Sequence, residues 1–175
     1  MFFNVTDLAG VYVIEPERHQ DSRGHFARTF CQDEFAAQGL ETSIAQCSFS
    51  FNRRKGTLRG LHYQATPYQE VKLVRCERGA IYDVILDLRP DSPTFKRHLA
   101  VELNEENGRA VYIPGGFAHG FQTLVDDTQV FYQMSKPYSS RHARGARWND
   151  PAFGIDWPED VRIILERDAN YPDFE

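Results

Sequence analysis

Short runs of alternating apolar and polar residues recur along the chain, separated by glycine, proline and other turn residues. This pattern is typical of β-strands in a sandwich or barrel. The predicted strands are 11–14, 26–30, 44–51, 57–63, 70–75, 80–88, 97–103, 109–113, 118–124 and 129–134. Apolar residues stand on both faces of several of these runs, for example at 71, 73 and 74, so we expect those strands to be covered on both sides.

Helical patterns are few and short. One helix is predicted at 32–38, where Gly39 is placed to end it, and a second short helix is expected after Pro158. The sequence lacks the alternation of strands and helices that builds a parallel sheet. It therefore predicts an all-β fold, a jelly-roll barrel of antiparallel strands with a few short helices. Without an internal repeat or a linker, one domain is predicted over residues 1–175.

Composition narrows the choice of partners and compartment. The formal net charge of −5 argues against non-specific binding of nucleic acid. No apolar run approaches the length of a membrane span, and the N-terminus lacks the pattern of a signal peptide. The three cysteines, Cys31, Cys47 and Cys76, are odd in number and form no CxxC pair. This cysteine pattern favours reduced thiols in a cytoplasmic protein. Together with the charge and the absence of a long apolar run, it predicts a protein without nucleic-acid or membrane partners.

Two of the six histidines, His62 and His119, stand out because each follows glycine residues and lies on a predicted strand. The segment 114–119 reads Pro-Gly-Gly-Phe-Ala-His and matches the second metal motif of cupin-type jelly rolls. The first motif is incomplete, since position 64 is Gln and Glu70 is only a loose match. A catalytic metal normally takes at least three protein ligands, so we predict a metal-free site. A metal-dependent oxygenase or isomerase using His62, His119 and Glu70 stays open as a second interpretation.

Several polar residues on core-like strands or near the C-terminus can carry chemistry without a metal. They are Arg59, His62, Gln64, Lys72, Asp83, His119, Tyr132 and Asp168. An imidazole such as His62 suits a general base, and a carboxylate such as Asp168 can orient it. Lys72 can stabilise an oxyanion and Tyr132 can return a proton. Each also has an ordinary structural interpretation: Lys72 as an outward-facing strand lysine, for instance. The set favours proton transfer next to a carbonyl.

Six blocks, in order along nearly the whole chain, match one known family. They are 21–26, 56–64, 72–74, 91–95, 113–121 and 148–151. The two long blocks read Gly-Thr-Leu-Arg-Gly-Leu-His-Tyr-Gln and Ile-Pro-Gly-Gly-Phe-Ala-His-Gly-Phe, and they are highly specific. By these blocks the chain resembles the deoxythymidine-diphosphate-4-dehydrorhamnose 3,5-epimerase family.

This resemblance implies a cupin-like jelly roll without metal or cofactor, in a homodimer that exchanges N-terminal strands. It implies inversion of C3, C5 or both, next to the C4 ketone of a nucleotide-diphosphate 4-keto-6-deoxyhexose, through an enolate. His62 is then the base with Asp168 as its partner, Tyr132 is the acid, and Lys72 holds the enolate oxygen. The implied substrate contacts are Arg23 (from the partner chain), Phe26, Gln46, Ser48, Arg59, His119, Tyr138 and Arg167. In this set Tyr138 stacks on the nucleotide base, and Arg167 stands where the family has lysine.

Three positions depart from the family pattern. Arg28 and Ala143 stand where glutamates are typical, and Ser48 stands where asparagine is typical. Such changes alter charge and hydrogen bonding at the nucleotide end, so we expect the reaction type to be retained while the nucleotide or sugar differs. An epimerase that inverts only C3 or only C5 also fits these residues, as does a module that binds sugar nucleotides without turnover.

Overall fold

The computed structural model describes residues 1–174, with fourteen strands and two short helices among them. The strands are β1 (Phe2–Val5), β2 (Tyr12–Glu15), β3 (Arg18–Asp21), β4 (Gly24–Ala27), β5 (Gln46–Asn52), β6 (Thr57–Gln64), β7 (Lys72–Arg78), β8 (Ala80–Asp87), β9 (His98–Asn104), β10 (Ala110–Ile113), β11 (Phe117–Thr123), β12 (Thr128–Met134), β13 (Ala143–Gly145) and β14 (Ile163–Ile164). The helices are α1 (Gln32–Ala37) and α2 (Glu166–Ala169).

Two six-stranded sheets make up the body of the fold. The first has the order β1-β2-β10-β7-β12-β5, and the second has the order β13-β6-β11-β8-β9 with β14 beside β6. Within residues 1–174 every strand pairing is antiparallel except that of β14 with β6. One buried cluster takes Val74 and Val130 from the first sheet and Ile81, Ile85 and Phe121 from the second. The sheets therefore pack face to face, and the predicted all-β class is confirmed.

Strands β6 and β11 approach closely at two facing glycines. A Cβ on Gly120 would lie 2.7 Å from the carbonyl oxygen of Arg59, and one on Gly60 would lie 2.6 Å from the Cα of Gly120. Gly60 also has a φ of 125°, which favours glycine. The same two strands pair His62 directly with His119, and their register shifts just beyond that pair. The glycines thus let the two histidine-bearing strands close on each other.

Each of the ten predicted strands overlaps an observed one, with ends displaced by at most about three residues. Four strands were not predicted: β1, β3, β13 and β14. All residues of β3 are exposed and polar, so it carries no hydrophobic alternation, and β14 has only two residues. Pairing with a neighbouring strand, which a local pattern does not reveal, makes these segments extended.

One helix prediction is confirmed and the other is wrong. Helix α1 lies within the predicted span and ends before Gly39, whose φ is 70°. No helix follows Pro158 directly, and α2 begins only at Glu166. The segment after Pro158 is held extended by tertiary contacts: the Gln122 amide donates to the Glu159 carbonyl at 2.8 Å and accepts from its N–H at 3.1 Å. The Arg162 N–H, which would close the first helical turn, instead donates to the Gly56 carbonyl at 3.0 Å, and Ile163 and Ile164 pair with β6.

The three cysteines are free thiols, as predicted. Burial raises the pKa of Cys76 to about 12, so this thiol is inert at neutral pH. Neither described helix has the length or apolar character needed to cross a membrane.

The glycine contact yields a stability prediction. Replacing Gly120 by Ala forces a methyl group against the backbone of β6, and overpacking of this kind costs about 1–3 kcal/mol of unfolding free energy. Urea unfolding measures the change. Gly115→Ala is the matched control, because its Cβ would lie 3.1 Å from the Cβ of Gln69, a milder overlap than the 2.7 Å contact at Gly120, and should cost less. Equal stabilities of wild type and Gly120→Ala would contradict the close approach.

Candidate active site

Two adjoining cavities share His62, Lys72 and Tyr132 and form one cleft between the sheets. The first, of about 250 Å³, is lined by Gln46, Ser48, His62, Tyr63, Gln64, Glu70, Lys72, Tyr132, Met134, Tyr138, Ala143, Arg144, Arg167 and Tyr171. The second, of about 220 Å³, is lined by Ser50, Arg59, His62, Lys72, His119, Phe121 and Tyr132. His62 lies on β6 of the second sheet, whereas Tyr132 lies on β12 of the first. The two side chains therefore reach the cleft from opposite walls.

His62 is held by a buried carboxylate. Its Nε2 lies 2.9 Å from Oδ1 of Asp168, and Oδ2 of Asp168 accepts the Gly60 N–H at 3.2 Å. Burial alone would raise the pKa of Asp168, but the hydrogen bonds from His62, Gly60 and Arg167 lower it overall. Asp168 is thus a fixed anion at the back of the imidazole, which leaves Nδ1 of His62 for a ligand.

Lys72 places an ammonium group in both cavities. Its Nζ donates to the carbonyl oxygen of His62 at 3.1 Å and lies 3.3 Å from Oε1 of Glu70. Burial lowers the pKa of Lys72, and the nearby charges of Glu70 and Asp83 oppose that shift. An ammonium has three donors, so one N–H stays available to a ligand oxygen beside His62.

Tyr132 brings a protonated phenol to the opposite wall. Its hydroxyl lies 3.1 Å from Oγ of Ser50 on β5. Burial raises the pKa of Tyr132 well above its usual value, although the hydrogen bond with Ser50 opposes the shift. The phenol therefore keeps its proton at neutral pH, as a general acid requires.

Two further side chains that line the second cavity, His119 and Arg59, are held in place by hydrogen bonds. Nε2 of His119 lies 2.7 Å from Oδ1 of Asp83, which is fully buried. Nε of Arg59 donates to Oδ1 of Asn52 at 2.7 Å. None of the described residues that line this cavity is a carboxylate, so it suits an anionic or hydroxyl-rich ligand.

The residues predicted for the nucleotide end lie together in the first cavity. Gln46, Ser48, Tyr138 and Arg167 all line it, and Oε1 of Gln46 accepts the Tyr138 N–H at 2.6 Å. Tyr138 is 63% exposed, so its ring is open to stacking. Of the three departures from the family pattern, Ser48 and Ala143 line this cavity as well.

Two predicted substrate contacts lie away from the cleft of this chain. Arg23 and Phe26 belong to the exposed hairpin of β3 and β4, where Arg23 pairs with Asp21 and Phe26 is 72% exposed. Arg28, the third departure, pairs with Glu34 at 2.7 Å on the surface. These three side chains reach a substrate only if another chain brings them to it.

Each of the three side chains weighed as a metal ligand contacts another side chain, the two histidines through Nε2 alone. His62 contacts Asp168, His119 contacts Asp83, and Glu70 contacts Lys72 and accepts from Nε2 of Gln64 at 2.8 Å. Across residues 1–174 no three His, Cys, Asp or Glu side chains converge as ligands would. The described residues thus present no set of the three ligands that a catalytic metal normally takes.

Comparisons with known proteins agree with this geometry. The family model described as dTDP-4-dehydrorhamnose 3,5-epimerase matches residues 5–175. A protein of that name from Sinorhizobium fredii is 42% identical over 173 residues, which are 98% of this chain and 89% of the relative. The chain belongs to the dTDP-4-dehydrorhamnose 3,5-epimerase family. The predicted family and the epimerase activity are thereby confirmed.

Solved structures extend the comparison. The dTDP-4-dehydrorhamnose 3,5-epimerase from Bacillus anthracis str. Ames, with TDP and PPi bound, has a TM-score of 0.96 and 38% identity, covering 99% of each chain. A 3'-monoepimerase from Streptomyces bikiniensis in complex with dTDP-quinovose has a TM-score of 0.89 and 35% identity, covering 96% of this chain and 85% of that one. Enzymes that invert two centres or one thus share this fold.

Sequence reasoning missed some residues that line the epimerase cleft. Ser50 has a sequence signal, since it stands two positions after Ser48 and so on the same face of β5. Tyr171 has none: its ring packs where a Cβ of Gly145 would stand, and it lies 6.4 Å from the imidazole of His62. Only the fold brings the two segments together.

The buried carboxylate yields a pH prediction for the epimerase. Because the folded state lowers the pKa of Asp168, its contribution to stability is present above the usual value of 3.8 and is lost as pH falls through the folded value. Asp168→Asn should therefore cost about 1–3 kcal/mol at neutral pH and less at about pH 3. Urea unfolding at both pH values measures this, with the exposed Asp33→Asn as control. A cost that grows on acidification would contradict the assignment.

Proposed function

We propose that this epimerase inverts C3, C5 or both, beside the C4 ketone of a deoxythymidine-diphosphate 4-keto-6-deoxyhexose. One observation carries the proposal: His62 and Tyr132 enter one cleft from opposite sheets, and Lys72 lines both cavities of that cleft with them. A base and an acid on opposite faces of a sugar ring allow a proton to leave from one face and return on the other. Loss of a proton from one face and its return on the other invert the carbon centre.

The proposed steps follow from the contacts of each group. Nδ1 of His62 takes the proton from the carbon next to the ketone, and the C–H electron pair forms the enolate with its charge on the C4 oxygen. Lys72 donates to that oxygen, so its stabilisation acts mainly on charge that develops in the reaction. Tyr132 then gives its proton to the opposite face of the carbon. Asp168 supports the imidazolium that His62 becomes.

The nucleotide end is proposed from the polar groups of the first cavity. Tyr138 stacks on the base and Gln46 makes a polar contact to it, while Arg59, His119 and Arg167 bind sugar and diphosphate oxygens. The related Bacillus anthracis enzyme has TDP and PPi bound, which supports deoxythymidine diphosphate as the carrier. Ser48 and Ala143 line the same cavity and set any difference in nucleotide preference.

The reaction is tested in deuterated water with 4-keto-6-deoxy sugar nucleotides. Wild type should incorporate solvent deuterium at C3, C5 or both, and NMR counts the exchanged positions. His62→Ala should lower exchange by about 10²–10⁴-fold, the usual contribution of a general base. His98→Ala, whose ring bonds to the Phe153 carbonyl outside the cleft, is the matched control.

Three outcomes would contradict this proposal. Native exchange by His62→Ala would remove the base. An absence of exchange into every 4-keto sugar nucleotide would favour a binding module. Stoichiometric metal that is lost together with activity on chelation would favour a metal-dependent cupin enzyme.

Nucleotide preference is tested by calorimetric titration with deoxythymidine, uridine, cytidine and guanosine diphosphates. We expect the tightest binding for deoxythymidine diphosphate, and Ser48→Asn and Ala143→Glu, which restore the residues typical of the family, should strengthen that preference because both residues line the cavity. Asp33→Asn, an exposed change on helix α1 that lines neither cavity, should leave the preference unchanged. Tighter binding of another diphosphate would overturn the proposed carrier.

We also infer a homodimer in which N-terminal strands are exchanged and Arg23 and Phe26 reach the cleft of the partner. Strand β5 is an edge of the first sheet and exposes Phe49 by 67% and Phe51 by 42%, a surface suited to association. Analytical ultracentrifugation should give the dimer mass, and Phe49→Arg should shift it towards the monomer and lower activity. Val125→Arg, at another exposed apolar residue, is the control. A fully active wild-type monomer would contradict the inference.

A further inference from the structure

A glycine leaves a slot open beside the imidazole of His62. Strand β13 pairs with β6 so that Gly145 lies directly opposite His62. Side chains of directly opposite residues in an antiparallel pair stand next to each other on one face of the sheet. The φ of Gly145 is outside the region that favours glycine, so its backbone could carry a side chain. The missing side chain is therefore what keeps the space next to His62 free.

The ring of Tyr171 fills this slot. It stands where a Cβ of Gly145 would be, and its centroid lies 6.4 Å from that of the His62 imidazole, with an angle of 77° between the two planes. Rings in this edge-to-face arrangement attract each other at centroid distances of about 4.5–7 Å. Tyr171 also lines the first cavity, so its contact with His62 lies within the cleft.

The chain is anchored on both sides of Tyr171. Before it, the buried carboxylate of Asp168 contacts His62 at 2.9 Å. After it, the N–H of Phe174 donates to Oδ2 of Asp150 at 2.6 Å. The backbone between these two anchors is short, so the ring of Tyr171 has little freedom to leave the slot.

The hydrogen bond to Asp168 does not by itself fix the direction of the imidazole. It holds one atom, Nε2, about which the ring of His62 can still tilt, and 35% of this side chain is exposed. A ring packed against the imidazole limits that tilt. A general base depends on such a restriction, because a small misplacement of a reacting group lowers the rate steeply.

We propose that Tyr171 is a positioning residue for His62: its ring, seated in the slot at Gly145, restricts the imidazole and keeps Nδ1 directed at the sugar carbon. This inference rests on the proposed role of His62 as the base. The ring of Tyr171 performs this task, and its hydroxyl takes no part in proton transfer.

Two variants separate the ring from the hydroxyl. The rate of deuterium exchange at saturating substrate gives kcat, and calorimetry gives the Kd of deoxythymidine diphosphate. Tyr171→Phe should keep the wild-type kcat, whereas Tyr171→Ala should lower it by roughly tenfold to a hundredfold, as for a displaced catalytic group. Neither variant should change the Kd, since the loss arises at the base. A merely structural role would lower affinity and kcat together.

Gly145→Ala displaces the same ring by a second route and retains the tyrosine. It should lower kcat as Tyr171→Ala does, and adding it to Tyr171→Ala should cost nothing more, because the new methyl group then meets no ring. Tyr68→Ala is the matched control. Tyr68 stacks on the imidazole of His142 at 4.1 Å and lines neither cavity, so its removal should leave kcat and Kd unchanged.

NMR relaxation of ¹³C-labelled histidine rings reads the restriction without turnover. Tyr171→Ala should lower the order parameter of the His62 ring, while Tyr171→Phe and Tyr68→Ala should keep the wild-type value. The proposal is overturned if Tyr171→Ala retains the wild-type kcat, if it loses nucleotide affinity as much as kcat, or if the His62 ring stays as rigid as in wild type. An absence of exchange by wild type would instead remove the proposed function, and the order parameter would still decide the role of Tyr171.

Discussion

The carboxylate of Asp168 ties the C-terminal segment to strand β6, and the geometry of the cleft depends on this contact. One of its oxygens orients the imidazole of His62 and the other accepts the N–H of Gly60. Gly60 in turn faces Gly120, where β6 and β11 come closest. A single buried anion thus links the base, the paired strands beneath it and helix α2. Because a buried charge is costly without partners, these contacts make the arrangement specific.

The two sheets divide the chemistry between them. The second sheet carries His62, Arg59 and His119, while the first carries Lys72 and Tyr132. Side chains from facing sheets point into the space between them, so a ring held there is reached from both faces at once. The sandwich thereby supplies the opposed acid and base that inversion of a carbon centre requires.

The sequence predicted ten of the fourteen described strands and α1, because hydrophobic alternation and a terminating glycine are local signals. It did not predict β3 or β14, whose extended form comes from pairing rather than from pattern. For the site, the family resemblance predicted that His62, Lys72, Tyr132 and Asp168 act together; the first three line one cleft, and Asp168 contacts His62 from behind it. The contact of Arg167 with His62 and the packing of Tyr171 on Gly145 depend on side-chain distances between remote segments, and no local pattern encodes those.

The central claim is that a sugar ring lies between a base and an acid that belong to opposite sheets. A crystal structure with a bound deoxythymidine-diphosphate sugar measures this most directly. It should place His62 and Tyr132 on opposite faces of the ring, with Nζ of Lys72 within hydrogen-bond distance of the C4 oxygen. A ring outside the cleft, or His62 and Tyr132 on the same face of it, would contradict the account.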